Sequence, residues 1–164
     1  MKLLIASIAL AASLATNLTV HAQTPAAPPA YGLSINFDQA KKAMAAAEAE
    51  ATKNNWPVAI VIVDTGGHLV MMQRQPNTQI ASIEIARGKA VTANNFRRPT
   101  KALEDAVAGG GAGLRLLSLR DVTALEGGEL IMHDGKIIGA IGVSGVASGN
   151  DAIVARAGAM AAVK

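Results

Sequence analysis

Apolar and polar positions along this chain follow two periods, and each change of period marks an element. From Asn36 onward, Ala40, Met44, Ala47 and Ala51 recur at steps of three and four, which predicts a helix with one narrow small-residue stripe turned inward. Asn36 is suited to cap that helix, with Gln39 at its third position, and Asn54-Asn55 ahead of Trp56-Pro57 marks its end. Val58 to Val63 is a continuous β-branched and apolar run, the pattern of a strand buried on both faces. Asp64-Thr65-Gly66-Gly67 makes a turn. His68 to Arg74 then returns as a strand, with His68, Val70, Met72 and Arg74 expected on one side.

Helical spacing resumes at Ile80, Ile83, Ala86 or Arg87, and Ala90, and must fade before Arg98 because Pro99 disfavours a helical predecessor. Thr100 is a natural cap for a further helix through Ala108. The glycine-rich Gly109 to Gly113 follows a helix and lacks a Gly-Lys-Ser/Thr ending, so it is a turned connection, not a phosphate cradle. Leu130-Ile131-Met132 and Ile137-Ile138 flank Asp134-Gly135, the form of a tight hairpin with both central residues at positive φ. Its second strand carries Gly139, Gly142 and Gly145, which implies close approach by a helix, a neighbouring subunit or a flat ligand. Asn150 or Asp151 then caps a terminal helix bearing Ile153, Val154, Ala157 and Met160. Two strand pairs joined by short turns must be antiparallel. That excludes a doubly wound parallel sheet and predicts a single-domain α+β fold, a sheet flanked by helices.

The first residues have a different pattern. Lys2 precedes the apolar stretch Leu3 to Val20, and Val20-His21-Ala22 offers a cleavage site, so residues 1–22 are expected to be a signal peptide. Residues 23–34 follow as a Pro-rich extended linker, and 35–164 form the domain. The expected mature protein is periplasmic or secreted, with no stable membrane insertion after cleavage.

Composition narrows the chemistry. The net charge is only +3, one of those charges belonging to Lys2, and the whole chain has one Trp, one Tyr and two Phe. There is no basic stripe and no stacking platform, so nucleic acid is not an expected partner. Cysteine is absent, which removes disulfides, thiolate nucleophiles and zinc-thiolate sites together. Ser144 lies in a pattern one residue short of a nucleophile elbow and is better taken as structural. His133 fits a surface residue flanking a turn. Outside the leader only His68 and His133 remain, too few for a three-histidine zinc site, although Asp64 or Asp134 could add a ligand. Asp64 and His68 are the acid-base pair nearest in sequence.

Gly88 to Thr100 (GKAVTANNFRRPT), taken with VDTGGHL at Val63 to Leu69, Arg74, Ser82, Glu126-Gly127-Gly128 and the Asp134 to Gly145 segment, resembles the GlcG/HbpS-like haem-binding protein family over roughly residues 35 to 164. The resemblance implies a profilin-like antiparallel sheet of about five strands with helices on its faces, often assembled into homo-oligomers. Family positions retained here are Arg74, Ser82, Lys89, Thr92, Phe96, Pro99, Thr100 and Gly145; Pro76, Glu129 and Ala152 depart from the pattern. The leading ligand implied is haem or a related tetrapyrrole. On that reading His68 is the iron ligand, Met72 stands on its strand face, and Arg74, Lys89, Arg97 and Arg98 supply cations. Lys89, Thr92 and Phe96 share a helical face that Arg97 and Thr100 extend, where Lys89 would meet the anionic end of the ligand. The alternatives are an enzyme acting on a small hydroxy- or oxo-acid through Lys89 or Asp64 with His68, and an oligomeric assembly protein without ligand. The small residues of Ala152 to Met160 are expected at an isologous interface between subunits.

Overall fold

The computed structural model describes residues 27–163, so the expected signal peptide and the first part of the linker lie outside the described residues. The elements are α1 (Phe37–Lys53), β1 (Ala59–Asp64), β2 (Leu69–Arg74), α2 (Ser82–Phe96), α3 (Lys101–Ala108), a 3-10 segment (Gly111–Ser118), β3 (Gly128–His133), β4 (Lys136–Ser144) and α4 (Ser148–Ala161). The Asn36–Gln39 capping box is formed in both directions. Asp134 and Gly135 both take positive φ, 48° and 72°, as the tight turn requires. All three ladders are antiparallel, in the order β2-β1-β4-β3.

Four strands stand where about five were expected. The place of a fifth is taken by the end of the Pro-rich stretch. Asp64, the last residue of β1, pairs with Gly139, which leaves the start of β4 open on that side. Tyr31 fills the gap with a parallel bridge to Ile137, as Gly32 N–H donates to the Ile137 carbonyl (2.7 Å) and Ile137 N–H to that of Ala30 (2.8 Å).

Helices α1 and α4 cover one side of the sheet, over a core of Ile60, Ile62, Ile138, Ile141, Val143 and the alanine stripe of α1. Helix α2 covers the other side, where Ala86, Ala90 and Ala93 meet Ala59, Val61, Val63 and Ala140. The glycine spacing of β4 follows from this. A Cβ on Gly142 would stand 2.1 Å from the Ala86 carbonyl oxygen and 2.5 Å from Ala90 N, so only glycine lets α2 lie this close. The chain itself accounts for the crowding: α2 at Gly142, the Val63 carbonyl and Ile35 at Gly139, and the Pro57 carbonyl and Val58 at Gly145. The small residues of α4 are likewise used internally: Ala152, Ala155 and Gly158 are buried, and a Cβ on Gly158 would meet the Ala43 carbonyl oxygen at 2.8 Å. Outward, α4 presents Ile153, Arg156 and Met160 with the half-buried Ala157, so a subunit contact through Ala152 to Met160 would use these residues and not the buried alanines.

Three local expectations fail for identifiable reasons, the first at Thr100, which precedes α3 without a side-chain cap hydrogen bond because its Oγ1 accepts from Gly128 N–H. A bulge between Ile62 and Val63 shifts the β1–β2 register, pairing Met71 with Ile62 but Leu69 with Val63. Alternation along β2 is broken there. And α4 begins at Ser148, before either expected cap, because the Asp151 side chain is turned into the protein.

Candidate functional site

The β1–β2 and β3–β4 turns lie at the same end of the sheet, and the segment before α1 crosses between them. Asp64 organises the first turn: its Oδ1 accepts from Gly66 N–H (2.8 Å) and His68 N–H (2.9 Å) and lies 3.5 Å from His68 Nδ1. That contact orients the imidazole with Nε2 away from the carboxylate, and the side chain is 83% exposed. Thr65 joins the turn to the crossing segment through Ser34 (Oγ to Oγ1 2.6 Å) and to α2 through its carbonyl, which accepts from Asn94 Nδ2 (3.0 Å). Ser34 in turn lines a concavity of about 590 Å³ whose walls include Leu33, Gln39, His133, Lys136 and Ile138. Leu33 is 91% exposed there. The two histidines outside the leader thus flank one end of the fold.

Phe96 and Arg97 come to this end as well, since α2 terminates here with Arg97 in the left-handed conformation (φ 53°). Arg97 is engaged with the crossing segment: its Nη1 donates to the Pro29 carbonyl (3.5 Å) and its guanidinium lies 5.9 Å from the Tyr31 ring centre. Tyr31 Oη donates to the Asn94 carbonyl (2.7 Å), closing the connection.

Met72 and Arg74 are not part of this cluster. Past the bulge, Leu69, Met72 and Arg74 share the α2 side with Val63, Val61 and Ala59. Asp64 continues the opposite face of Ile60 and Ile62, and the His68 ring lies beside it. His68 and Met72 therefore do not stand on one face, and Arg74 is at the far end of β2, roughly 20 Å from the turn at about 3.4 Å per residue.

Lys89 is likewise not at a ligand surface. It is 1% exposed, and its Nζ donates to Asp151 Oδ2 (2.8 Å) and to the Val143 carbonyl (3.0 Å). Burial pushes the Asp151 carboxyl up, against the opposing pull of the Lys89 ammonium and of the Val146 and Gly145 backbone. The ion pair joins α2, β4 and α4, and it removes Lys89 as charge partner or catalytic base. Thr92 and Thr100 are also buried and structural: Thr92 Oγ1 accepts from Thr123 N–H (2.9 Å) and Thr100 Oγ1 from Gly128 N–H (2.8 Å). Asp151, expected as a helix cap, is instead the partner of Lys89, and the contacts of Tyr31 and Ser34 have no counterpart among the sequence expectations. A lysine among alanines on an inward helical stripe was the available signal, since such a charge needs a buried partner.

Among the described residues no group of three or more His, Asp or Glu side chains could hold a metal ion, and no helix is long and apolar enough to cross a membrane. A four-stranded antiparallel sheet between α1/α4 and α2, with an exposed histidine on an Asp-organised turn, defines a small α+β protein. The chain belongs to the family described as haem-degrading protein HbpS-like, which matches residues 35–160. It is 42% identical over 110 residues to the GlcG protein of Escherichia coli K12, covering 67% of this chain and 81% of that one. The crystal structure of a PduOC–haem complex matches with a TM-score of 0.72 at 30% identity, over 79% of this chain and 95% of that one. That of HbpS matches with a TM-score of 0.72 at 29% identity, over 79% and 90%.

Proposed function

We propose that this protein binds haem or a related tetrapyrrole at the hairpin end of the sheet, with His68 as iron ligand. The observation that carries this is the His68 geometry: the exposed imidazole has Nδ1 3.5 Å from the Asp64 carboxylate and Nε2 turned outward, the arrangement common to metal-ligating histidines. The neighbouring concavity supplies the exposed Leu33 for the ring and Lys136, which has no ion-pair partner among the described residues, for a propionate. The haem complex of a structural neighbour at 30% identity supports the ligand class. Haemin titration followed in the Soret region tests the proposal. His68→Ala should abolish the saturable Soret shift while His133→Ala retains it; an unchanged titration in His68→Ala would assign the iron elsewhere.

We propose further that the protein works outside the cytoplasm, which rests on the apolar Leu3 to Val20 stretch and the Val20-His21-Ala22 site. Mass spectrometry of native protein should then find Gln23 at the N-terminus, and a chain retaining Leu3 to Val20 would contradict it.

A further inference from the structure

The turn that carries His68 is closed on Asp64 and tethered from outside at Thr65. Besides the two bonds to its carboxylate, Asp64 N–H donates to the His68 carbonyl (2.9 Å) and the Asp64 carbonyl accepts from Gly67 N–H (3.0 Å). These bonds set the shape of the turn. Thr65 seats it against the neighbouring segments: its Oγ1 and N–H meet Ser34 Oγ (2.6 and 3.4 Å), and its carbonyl accepts from Asn94 Nδ2 (3.0 Å). The two tethers differ in kind. Ser34 is exposed, so water competes for its hydroxyl. Asn94 is 1% exposed, and both protons of its Nδ2 are committed, one to Thr65 and one to Asn95 Oδ1 (3.1 Å). Turned over, the carboxamide would set its oxygen against the Thr65 carbonyl, so its orientation is fixed. The Asn94 carbonyl accepts from Tyr31 Oη and from Arg97 N–H (3.1 Å), which holds the end of α2 from which the side chain projects. Gly67, at φ 79°, lets the turn lie close: a Cβ there would stand 3.2 Å from Asn95 Oδ1 and 3.8 Å from Asn94 Nδ2. Losing a buried donor leaves its acceptor unsatisfied, whereas an exposed bond is replaced by water, so Asn94 is the tether that counts.

We infer that Asn94 is a positioning residue for His68: its carboxamide holds the β1–β2 turn so that the imidazole stays beside Asp64 with Nε2 directed outward. A ligand held by a support of this kind binds more tightly than one on a free loop, because less order is lost on binding. The consequence for haem rests on the reading of His68 as iron ligand; the placement of the turn does not, and is tested on haem-free protein.

Amide hydrogen exchange reads the placement. In Asn94→Ala the Gly66 and His68 amides should exchange at least tenfold faster than in the wild type, while those of Ile62 and Ile141 in the sheet keep their rates. Asn95→Ala, which removes only the exposed acceptor, should leave the turn amides within twofold of wild type. Should Asn94→Ala not fold, Asn94→Ser serves the same comparison. Haemin titration reads the consequence. Asn94→Ala should weaken haemin binding at least fivefold in the wild-type background and less than twofold in His68→Gly with imidazole supplied, where no side chain remains to be positioned. Turn amides that exchange in the wild type as fast as in an unstructured peptide, or at rates unchanged by Asn94→Ala, would overturn the assignment. Equal weakening of haemin binding in both backgrounds would also overturn it, by making Asn94 a residue of the fold alone. An unchanged titration in His68→Ala would overturn the tetrapyrrole reading instead, with the exchange rates still deciding the role of Asn94.

Discussion

Replacing Lys89 by alanine should act on stability, not on ligand affinity, and the size of the effect follows from what the ammonium touches. Asp151 is 2% exposed, and its Oδ2 would lose a charged donor at 2.8 Å while the Val143 carbonyl lost one at 3.0 Å. Breaking a buried ion pair from one side costs about 3–5 kcal/mol, because the remaining charge is buried without compensation. At an unfolding entropy of about 2 cal/mol/K per residue, a domain of this size loses roughly 10–20 °C in Tm. The loss should depend on pH with a definite sign. Without Lys89, burial holds the Asp151 carboxyl further above its unfolded value, so the folded state binds more protons and stability falls as pH rises through that window. The variant should therefore be closest to wild type near pH 4 and furthest from it above neutrality. Lys89→Met with Asp151→Leu removes both charges and should recover most of the loss. Urea unfolding of Lys89→Ala, Lys89→Met, Asp151→Leu and the double variant at pH 4 and pH 8 measures all of this. A loss below about 1 kcal/mol in Lys89→Ala, or a double variant as unstable as the two singles added together, would refute the reasoning.

Gly142→Ala should destabilise the fold by about 1–3 kcal/mol or prevent folding, since the new Cβ meets the α2 backbone rather than a movable side chain; a Tm within 2 °C of wild type, at roughly 2–4 °C per kcal/mol, would contradict the account of the glycine spacing. Glu129 is pushed up by burial, with Arg156 at 3.1 Å opposing, so its charged form is disfavoured in the fold and its cost is present at high pH and absent below the ordinary carboxylate range. Glu129→Gln should accordingly raise Tm at pH 8 and change it little at pH 4, and the reverse pattern would disprove the assignment. Ile80, Leu117 and Met160 are 84%, 67% and 63% exposed, and if other copies of the chain cover such positions, light scattering should give the mass of several chains; the mass of one chain would remove the assembly expectation.

The parts of the fold legible in the sequence were those set by local chemistry. Asn36 with Gln39, Asn54-Asn55 before a proline, and Asp134-Gly135 between apolar runs each specify a backbone conformation within a few residues, and each is present. The glycine spacing of β4 announced a close neighbour but not its identity, because α2 reaches Gly142 only through the tertiary fold. The site was harder to infer. His68 stands beside the Asp64 turn, as its place in the sequence implies, yet its grouping with Met72 assumes unbroken alternation, and a bulge leaves no reliable mark in a six-residue strand. Lys89 was assigned to a ligand face because helical spacing groups it with Phe96. Its partner lies 62 residues away, where spacing within one helix carries no information.

The most direct test of the tetrapyrrole site replaces His68 by glycine and supplies the missing ligand from solution. Haemin added to His68→Gly should give the spectrum of unbound haemin, and imidazole should then restore a saturable Soret band close to that of the wild-type complex, by occupying the vacated position beside Asp64. A wild-type spectrum in His68→Gly without imidazole would contradict the account.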